Sequence, residues 1–383
     1  ADHLSHFYLF FMPDFARAAY RDRTWFDVTA ERFTAQTGSA SAEMLPARAA
    51  FLHLTGLLAG KWPHSLALQP GGTTRAIEPR ERLRLRAIVI AFRQFLEYTL
   101  FGDRLEAVAA IQRPDELREW AVSHAKSDFG RFLLLADDLR LDGLGRANDT
   151  FMSYGAYESQ AQPQQHVFRP GLWMQREQVL DPAAITEDIS HSWLHAQREP
   201  RHPFDGSTLP DADARNGYSW CKAPRYNGQV IEVGALARQQ VDGHPLIRAL
   251  VAESGGNVRN RVVARLLELA RVVPVMETWI DAIRHGQPYC EHGRLPRDGE
   301  GMGLVEAARG SLGHWLRIKH GRILNYQIVA PTTWNFSPRD RNDTPGALEQ
   351  ALVNTPVDDA GGDAVAVQHV VRSFDPCMVC TVH

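Results

Sequence analysis

The last nine residues constrain this chain more than any other stretch. They read Asp375-Pro376-Cys377-Met378-Val379-Cys380-Thr381-Val382-His383 and hold two of the four cysteines. A Cys-x-x-Cys pair brings two thiolates to one metal ion, and thiolates are soft ligands that suit nickel, iron, zinc and Cu(I). His383 adds an imidazole, and Pro376 restricts its own φ and the backbone of Asp375. A metal pair in this position indicates a chain end that is buried and held in place, because free termini fray.

Spacing alone leaves two alternatives for this motif. Cys-x-x-Cys followed by a histidine also forms half of a structural zinc site. A redox-active cysteine pair has the same spacing, but it normally opens a helix that follows a strand. A chain end is an unusual place for a redox pair.

Composition excludes several classes of protein. The net charge of −3 and the pI of about 6.6 leave no basic footprint for nucleic acid. No apolar run approaches the roughly 20 residues that a membrane span needs. Four cysteines in 383 residues do not form a disulfide framework. We therefore expect no nucleic-acid partner, no membrane span, and a reducing compartment, the cytoplasm.

The rest of the chain alternates between two kinds of pattern. Apolar residues at helical spacing predict helices over residues 2–20, 45–60, 79–101 and 257–285, with two shorter helices within 115–140. Pro274 should kink the helix over 257–285. β-branched and aromatic residues broken by Gly and Pro predict strands over 151–157, 167–173, 229–233 and 321–329.

These elements predict an α+β fold, mainly α, with a central bundle of long helices, small peripheral β-sheets and long ordered loops. We expect one large domain. Its helical bundle comprises residues 1–145 and 246–290, its β- and loop-rich insert 146–245, and its C-terminal part 300–383, with an exposed loop over 355–364. The chain starts within a helical pattern, so we expect further residues upstream.

Two helices show clear apolar stripes, and the first also carries polar candidates. The stripes are Leu4, Tyr8, Phe11, Phe15 and Ala19 in the first helix and Leu83, Ala87, Ile90, Phe95 and Leu100 in the helix over 79–101. Asp2 and His6 are four residues apart and share a helix face. From the pattern alone they are a capping aspartate and a half-buried histidine.

Asp-Pro-Cys-x-x-Cys-x-x-His at 375–383 resembles the C-terminal signature of the large subunit of nickel–iron hydrogenases. Further blocks resemble that family in the family's order: residues 2–8, 60–72, 180–193, 218–226, 232–238, 301–315 and 331–340. Ala308 stands where the family has a proline. Cys221 and Cys290 match no family ligand and are expected to be small buried apolar groups. His64 is expected to be a buried histidine.

The resemblance implies a ligand set. Cys377 would be a terminal nickel ligand and Cys380 would bridge nickel to an iron that carries CO and cyanide. His383 would bind a further cation, usually Mg²⁺, together with the backbone carbonyl near Ile328. The resemblance also implies an iron–sulfur small subunit, maturation proteins and H₂ as substrate, with no iron–sulfur cluster in this chain. Through that subunit, a membrane-associated or periplasmic location is the alternative to the cytoplasm.

The resemblance also assigns residues to the reaction. Arg309, Asp2 and Asp375 would form a charged canopy over the open coordination position, with His6 lining the same space. Ala330, Pro331 and Thr332 would surround the diatomic ligands. Splitting hydrogen into a hydride and a proton needs a Lewis acid for the hydride and a nearby base for the proton.

Several functional alternatives are open. The family's first Cys-x-x-Cys, with its glutamate ligand for the further cation, is expected upstream of Asp2. Within the family, a hydrogen sensor and an energy-conserving uptake enzyme compete, and the compact chain that ends at His383 favours the sensor. The alternatives outside it are a zinc-binding structural module and a quinone-site subunit like that of respiratory complex I. Cys377 and Cys380 argue against the complex I type, which lacks these cysteines.

Overall fold

The computed structural model describes residues 1–158, 165–357, 364–377 and 379. They form two compact units. The first comprises Ala1–Ile111, Asp115–Asp138 and Arg265–Leu295, and the second comprises Gln112–Pro114, Leu139–Ala264 and Pro296–His383. Helices and small sheets occur together, which confirms the α+β class. The central bundle and the three-part division of the chain stay predictions.

Helices form where apolar residues recur at helical spacing. The α-helices are α1 (Asp2–Ser5), α2 (Phe26–Phe33), α3 (Ser39–Ala59), α4 (Pro79–Phe95), α5 (Leu105–Ala109), α6 (Pro114–Ser123), α7 (Asp128–Asp138), α8 (Ala235–Asp242), α9 (Pro245–Ser254), α10 (Val258–Ala282), α11 (Pro331–Asn335), α12 (Ala347–Leu352) and α13 (Val365–Ser373). No helix among the described residues has both the length and the apolar character that a bilayer crossing requires.

Strands are short, apart from one antiparallel sheet. They are β1 (Leu68–Gln69), β2 (Gly72–Thr73), β3 (Thr150–Ser153), β4 (Ala156–Glu158), β5 (His166–Phe168), β6 (Gly171–Met174), β7 (Glu177–Gln178), β8 (Ile185–Asp188), β9 (Ala223–Tyr226), β10 (Gly299–Ala307), β11 (Gly310–Lys319) and β12 (Arg322–Val329). The sheet orders are β1-β2, β3-β6-β7, β4-β5, β8-β9 and β10-β11-β12.

The predicted helix over residues 2–20 is a series of three helix types. After α1 comes a π-helix over His6–Phe11, followed by 3₁₀ turns over Met12–Ala16 and Ala18–Tyr20. The predicted stripe is buried at its first four positions and exposed at Ala19. The stripe ends early because the helix changes pitch before it reaches Ala19.

The helix over 79–101 is confirmed, but of its predicted apolar stripe only Leu100 is fully buried. It consists of α4 and a π-helix over Leu96–Phe101, and Gly102 ends it with φ +67°. The buried side chains are Leu85, Val89, Phe92, Leu96 and Leu100, whereas Leu83 is 65% exposed. The ring of Phe92 stacks on Phe51 of α3 at 4.0 Å, so packing against α3 selects the face.

Other predicted elements differ in detail. Pro274 lies inside α10 as predicted, and the kink expected there stays a prediction. The strand predicted over 229–233 is absent as a regular strand, and only isolated bridges pair Glu232 with Phe151 and Gln229 with Tyr226. The Glu232 bridge consists of two backbone bonds to β3, from the N–H of Glu232 to Thr150 and from the N–H of Met152 to Glu232.

Three predicted burials have mixed outcomes. Cys221 is 5% exposed, as expected, but Cys290 is half-buried. His64 is exposed and has a φ of +61°. Both errors fall in the first unit's Gly- and Pro-containing loops, where neighbouring β1, β2 and the 289–291 segment pair by backbone bonds rather than by side-chain packing. Part of the loop predicted over 355–364 lies outside the described residues.

The second unit has a hydrophobic core beneath the β10-β11-β12 sheet. The core cluster is Met152, Tyr154, Leu172, Ile185, Tyr226, Ile231, Val233, Trp315, Val329 and Trp334. β10 and β11 pair in continuous register from Gly299 opposite Ile318 to Ala307 opposite Gly310. The hairpin turn between them is therefore anchored at the core end of the sheet and carries Ala308 and Arg309.

Candidate metal centre

The cysteine motif leaves α13 through a backbone turn at Asp375. The helix ends at Ser373, and the N–H of Asp375 donates to the carbonyl of Arg372 at 2.9 Å. Asp375 has a φ of +57°, a left-handed conformation that aspartate adopts more readily than most residues. Pro376 follows, and this strained conformation directs the chain away from the helix axis toward Cys377.

Arg309 and Asp375, predicted to share a canopy, are in contact. Nε of Arg309 donates to the backbone carbonyl of Asp375 at 3.0 Å and lies 3.3 Å from Oδ2 of its carboxylate. The Asp375 side chain is 4% exposed and that of Arg309 is 32% exposed. Oδ2 of Asp375 is buried without a hydrogen-bond donor of good geometry. The arginine therefore fixes the backbone of the motif and leaves a carboxylate oxygen available.

Arg309 is presented by a hairpin turn that buried charges hold. Arg238 of α8 donates to the carbonyls of Ala307 and Ala308 at 2.8 and 2.9 Å and to Oε2 of Glu306 at 2.8 Å. The other oxygen of Glu306 accepts from the N–H of Tyr154 at 2.8 Å and from the hydroxyl of Ser311. Burial raises the pKa of Glu306, while Arg238 and these donors oppose the rise.

Glycine is required where the turn meets the chain ahead of α8. Gly310 has a φ of +134°, and a Cβ there would lie 2.6 Å from Cγ2 of Val233 and 2.7 Å from the N of Gly234. Gly234 has a φ of +132°, and its Cβ would lie 3.2 Å from the carbonyl oxygen of Arg309. The two backbones therefore approach more closely than side chains would permit.

Thr332 contacts the motif from a second direction. α11 begins at Pro331, after Ala330 in an extended conformation, and Pro331 and Thr332 are both buried. The N–H of Cys377 donates to Oγ1 of Thr332 at 3.2 Å. The hydroxyl accepts this bond and can still donate its own proton. The structure thus brings Arg309, Asp375, Cys377 and Thr332 to one place in the second unit.

The other predicted site residues have different outcomes. Asp2 is exposed in the first turn of α1, and His6 is 2% exposed in the π-helix; both belong to the first unit. Their place in the canopy stays a prediction. Cys380 and His383 lie outside the described residues. Ile328 is in β12 opposite His314, with a half-exposed side chain.

The donor chemistry of this place fits a soft metal. Cys377 is half-buried and lies two residues after Asp375, which the guanidinium of Arg309 contacts. A thiolate at this position would be a soft ligand. Within residues 1–158, 165–357, 364–377 and 379, no group of three or more His, Cys, Asp or Glu side chains is arranged to hold a metal ion. The assignment of Cys377 as a nickel ligand stays a prediction.

A buried carboxylate lies near the expected site of the further cation. Gln327, the neighbour of Ile328, accepts from Nζ of Lys222 at 2.8 Å, and Lys222 donates to Oε2 of Glu187 at 3.2 Å. Oε1 of Glu187 is buried and has no hydrogen-bond donor. Burial raises the pKa of Glu187, and Lys222 opposes the rise. A cation, or water bound to one, would satisfy this oxygen.

A family profile described as nickel-dependent hydrogenase matches residues 20–383. The chain belongs to the nickel-dependent hydrogenase family. This confirms the family that the C-terminal motif predicted, and it places Arg309, Thr332, Asp375 and Cys377 within the matched region. The zinc-module and complex I alternatives are not needed to explain the cysteine pair.

Individual hydrogenases are similar to the chain over most of its length. It is 34% identical over 247 residues to the uptake hydrogenase large subunit of Rhodobacter capsulatus, covering 54% of this chain and 41% of that protein. It is 30% identical over 373 residues to the hydrogenase-2 large chain of Escherichia coli K12, covering 86% and 62%. The chain spans about half the length of the curated relatives it matches.

A solved hydrogenase structure has the same fold. The reduced Ni-Fe-Se hydrogenase of Desulfovibrio vulgaris Hildenborough superposes with a TM-score of 0.79 at 26% identity, covering 100% of this chain and 79% of that chain. The whole chain therefore has the fold of this hydrogenase.

Residues that hold the site were not predicted as functional. The side chains of Arg238, Glu306 and Asn335 are almost completely buried in the second unit. Each belongs to, or bonds with, a segment that carries or supports a site residue. The available signal was a charged or amide side chain inside an apolar stretch, such as Arg238 after Ala-Leu-Ala. Such residues are rarely buried without a partner.

Proposed function

We propose that this chain is the hydrogen-activating subunit of a nickel–iron hydrogenase that cleaves H₂ heterolytically into protons and electrons. The observation that supports it best is the contact of Arg309 and Thr332 with the Asp375–Cys377 stretch from two sides. Cys377 and Cys380 would hold a nickel–iron centre with CO and cyanide on the iron. When bound, this centre supplies the Lewis acidity and redox chemistry that hydrogen cleavage needs.

The chain's own residues would prepare the place where that chemistry happens. Arg309 holds the backbone carbonyl of Asp375 and brings a fixed positive charge, because a guanidinium stays protonated. Oδ2 of Asp375, buried without a well-placed donor, is an acceptor beside that charge. Thr332 fixes the backbone N–H of Cys377 and retains a hydroxyl proton to donate. Together with Asp2 and His6, these groups would orient polar species and exclude water.

The remaining features of the proposal extend beyond the described contacts. Mg²⁺ or another divalent ion would bind His383 and the Ile328 carbonyl, and the unpaired Oε1 of Glu187 supports a cation or its water in that neighbourhood. An iron–sulfur small subunit would carry electrons away, and maturation proteins would insert the centre. The central bundle of long helices and the cytoplasmic location belong to the same proposal.

Two physiological roles are separate proposals. The uptake hydrogenases among the relatives support energy-conserving hydrogen uptake. The sensor role would show as H₂ binding with slow turnover. The rate of H₂-dependent dye reduction by the assembled complex distinguishes the two roles.

The test uses the complex purified with its small subunit. Elemental analysis should find nickel and iron, and infrared spectra should show bands in the cyanide and carbonyl stretching region. Hydrogen should reduce an acceptor dye. Zinc alone, with no bands from the mature complex, would support a structural module and contradict the proposal.

A further inference from the structure

One short segment is joined to all three stretches that carry the candidate site, directly to two of them and through Arg261 to the third. This bridging segment is residues 232–238, which lead into and begin α8. The three stretches are the hairpin turn 307–310 with Arg309, helix α11 with Thr332, and the end of α13 next to Asp375. All of them belong to the second unit.

The first contact reaches the end of α13. Glu232 forms a two-point ion pair with Arg261, with Nε–Oε1 and NH2–Oε2 distances of 2.7 and 2.8 Å. The same guanidinium donates to Oγ of Ser373 at 3.3 Å and lies over the ring of Phe374, 3.7 Å from its centroid. Both charged side chains are 2% to 3% exposed. The residues that directly precede Asp375 are thus held by a buried ion pair.

The second contact reaches α11. The side-chain amide of Asn335 bonds both backbone groups of Val233: Oδ1 accepts from its N–H at 3.0 Å, and Nδ2 donates to its carbonyl at 2.9 Å. Asn335 is 2% exposed and lies three residues after Thr332 on the same short helix. These two hydrogen bonds satisfy both backbone groups of Val233 and fix α11 against the bridging segment.

The third contact reaches the hairpin turn. Gly310 lies so close to Val233 and Gly234 that a Cβ at Gly310 would clash, at 2.6 Å from Cγ2 of Val233 and 2.7 Å from the N of Gly234. Arg238 holds the carbonyls of Ala307 and Ala308. The backbone carbonyl oxygen of Arg309 lies close to Gly234, 3.2 Å from the position of a Cβ on that glycine. The orientation of the turn is therefore set from the bridging segment as well as from the strands β10 and β11.

We propose that the bridging segment is a positioning element, and that Asn335 and Arg238 are positioning residues that set Arg309 and Thr332 relative to Asp375 and Cys377. The backbone of the bridging segment connects its three sets of buried bonds, so the loss of one set should loosen the others. A substitution at Asn335 should therefore loosen the hairpin turn, although no described hydrogen bond joins Asn335 to that turn. Only the consequence for hydrogen turnover rests on the proposed function.

The test compares two buried asparagines of the second unit. Asn335→Ala removes the bond to Val233. Asn260→Ala is the matched control, because Asn260 is fully buried in α10 and its amide donates to the carbonyls of Leu250 and Gly255, which belong to none of the three stretches. Amide hydrogen exchange is measured on the full chain without metals. We expect exchange across residues 310–312 to rise about tenfold in Asn335→Ala and to stay unchanged in Asn260→Ala.

A second variant and a second readout keep the proposal falsifiable. Arg238→Lys keeps the charge but lacks the fork that reaches two carbonyls, and it should raise exchange across residues 332–336. In the assembled complex, both variants should keep their nickel and shift the infrared bands, with kcat at least about tenfold lower than in the control.

Exchange across residues 310–312 that is equal in Asn335→Ala and Asn260→Ala would overturn the proposal. If the wild-type complex holds no nickel, the proposed hydrogenase function fails, while the exchange results still decide whether the bridging segment positions the site. Should one variant fail to fold, the other carries the same comparison.

Discussion

Nε of Arg309 donates a 3.0 Å hydrogen bond to the backbone carbonyl of Asp375 and lies 3.3 Å from the carboxylate of the same residue. The two residues are 66 positions apart in the chain. One comes from a hairpin turn and the other from the segment after α13, and the bond joins them two residues before Cys377. The guanidinium of Arg309 therefore holds the backbone of Asp375 and also places positive charge beside the carboxylate of that residue.

Arg309→Lys should keep the metals and slow the reaction. Lysine retains the charge but cannot maintain the directed Nε–H bond together with the contact to the carboxylate. We expect nickel content to be unchanged and kcat for H₂ oxidation to fall about 10- to 100-fold. Arg317→Lys, on the same sheet and paired with Asp205 and Glu300, is the control and should be neutral. Full activity in Arg309→Lys would rule out the canopy role.

Cys377→Ala and Cys380→Ala should each abolish metal assembly. A bimetallic centre held by thiolates loses affinity when one ligand is removed, and an alanine methyl cannot replace the sulfur. Elemental analysis of the purified complex measures the loss of nickel. Cys290→Ala removes a half-buried thiol of the first unit and should retain nickel at the wild-type level. Nickel retained in Cys377→Ala would contradict its assignment as a ligand.

Gly310→Ala should destabilise the second unit by roughly 2–4 kcal/mol, from the left-handed φ and from overpacking. Its Cβ would lie 2.6 Å from Val233, and its φ is +134°. Gly303→Ala in the same hairpin has no heavy atom within 4 Å of the new Cβ and should change the free energy of unfolding by less than about 0.5 kcal/mol. Denaturant unfolding measures both. Equal losses would mean that the close approach at Gly234 does not exist in solution.

Glu81→Gln should lower stability at neutral pH and lose that effect in acid. Arg75 and the N–H of Glu78 lower the pKa of Glu81 to about 2, below its ordinary value of 4.5. A carboxylate whose pKa is lower in the folded than in the unfolded state stabilises the fold fully at pH values above its unfolded-state pKa. This stabilisation is lost as the pH falls through the folded-state pKa. The Tm difference between wild type and variant should therefore be full at pH 6 and should shrink from about pH 4.5 toward pH 2. A difference that stays constant across this window would exclude the ion pair as its cause.

The sequence alone determined the family and the positions of several helices and one strand. The Cys-x-x-Cys motif and the blocks around Arg309 and Thr332 identified the family, because metal chemistry needs particular side chains at fixed spacing. Helical periodicity located α3, α4, α6, α7 and α10, and strand composition located β12. These features depend on neighbours a few residues apart, which the sequence states directly.

Tertiary structure decided which faces are buried and which residues meet. Packing of Phe92 on Phe51 of α3 buries the Leu85 face of α4 and leaves Leu83 exposed. The bond from Arg309 to Asp375 and the bond from Asn335 to Val233 join residues 66 and 102 positions apart. Such contacts form only when the whole second unit is assembled, because their free energy comes from excluding water around polar groups that no local pattern marks as partners.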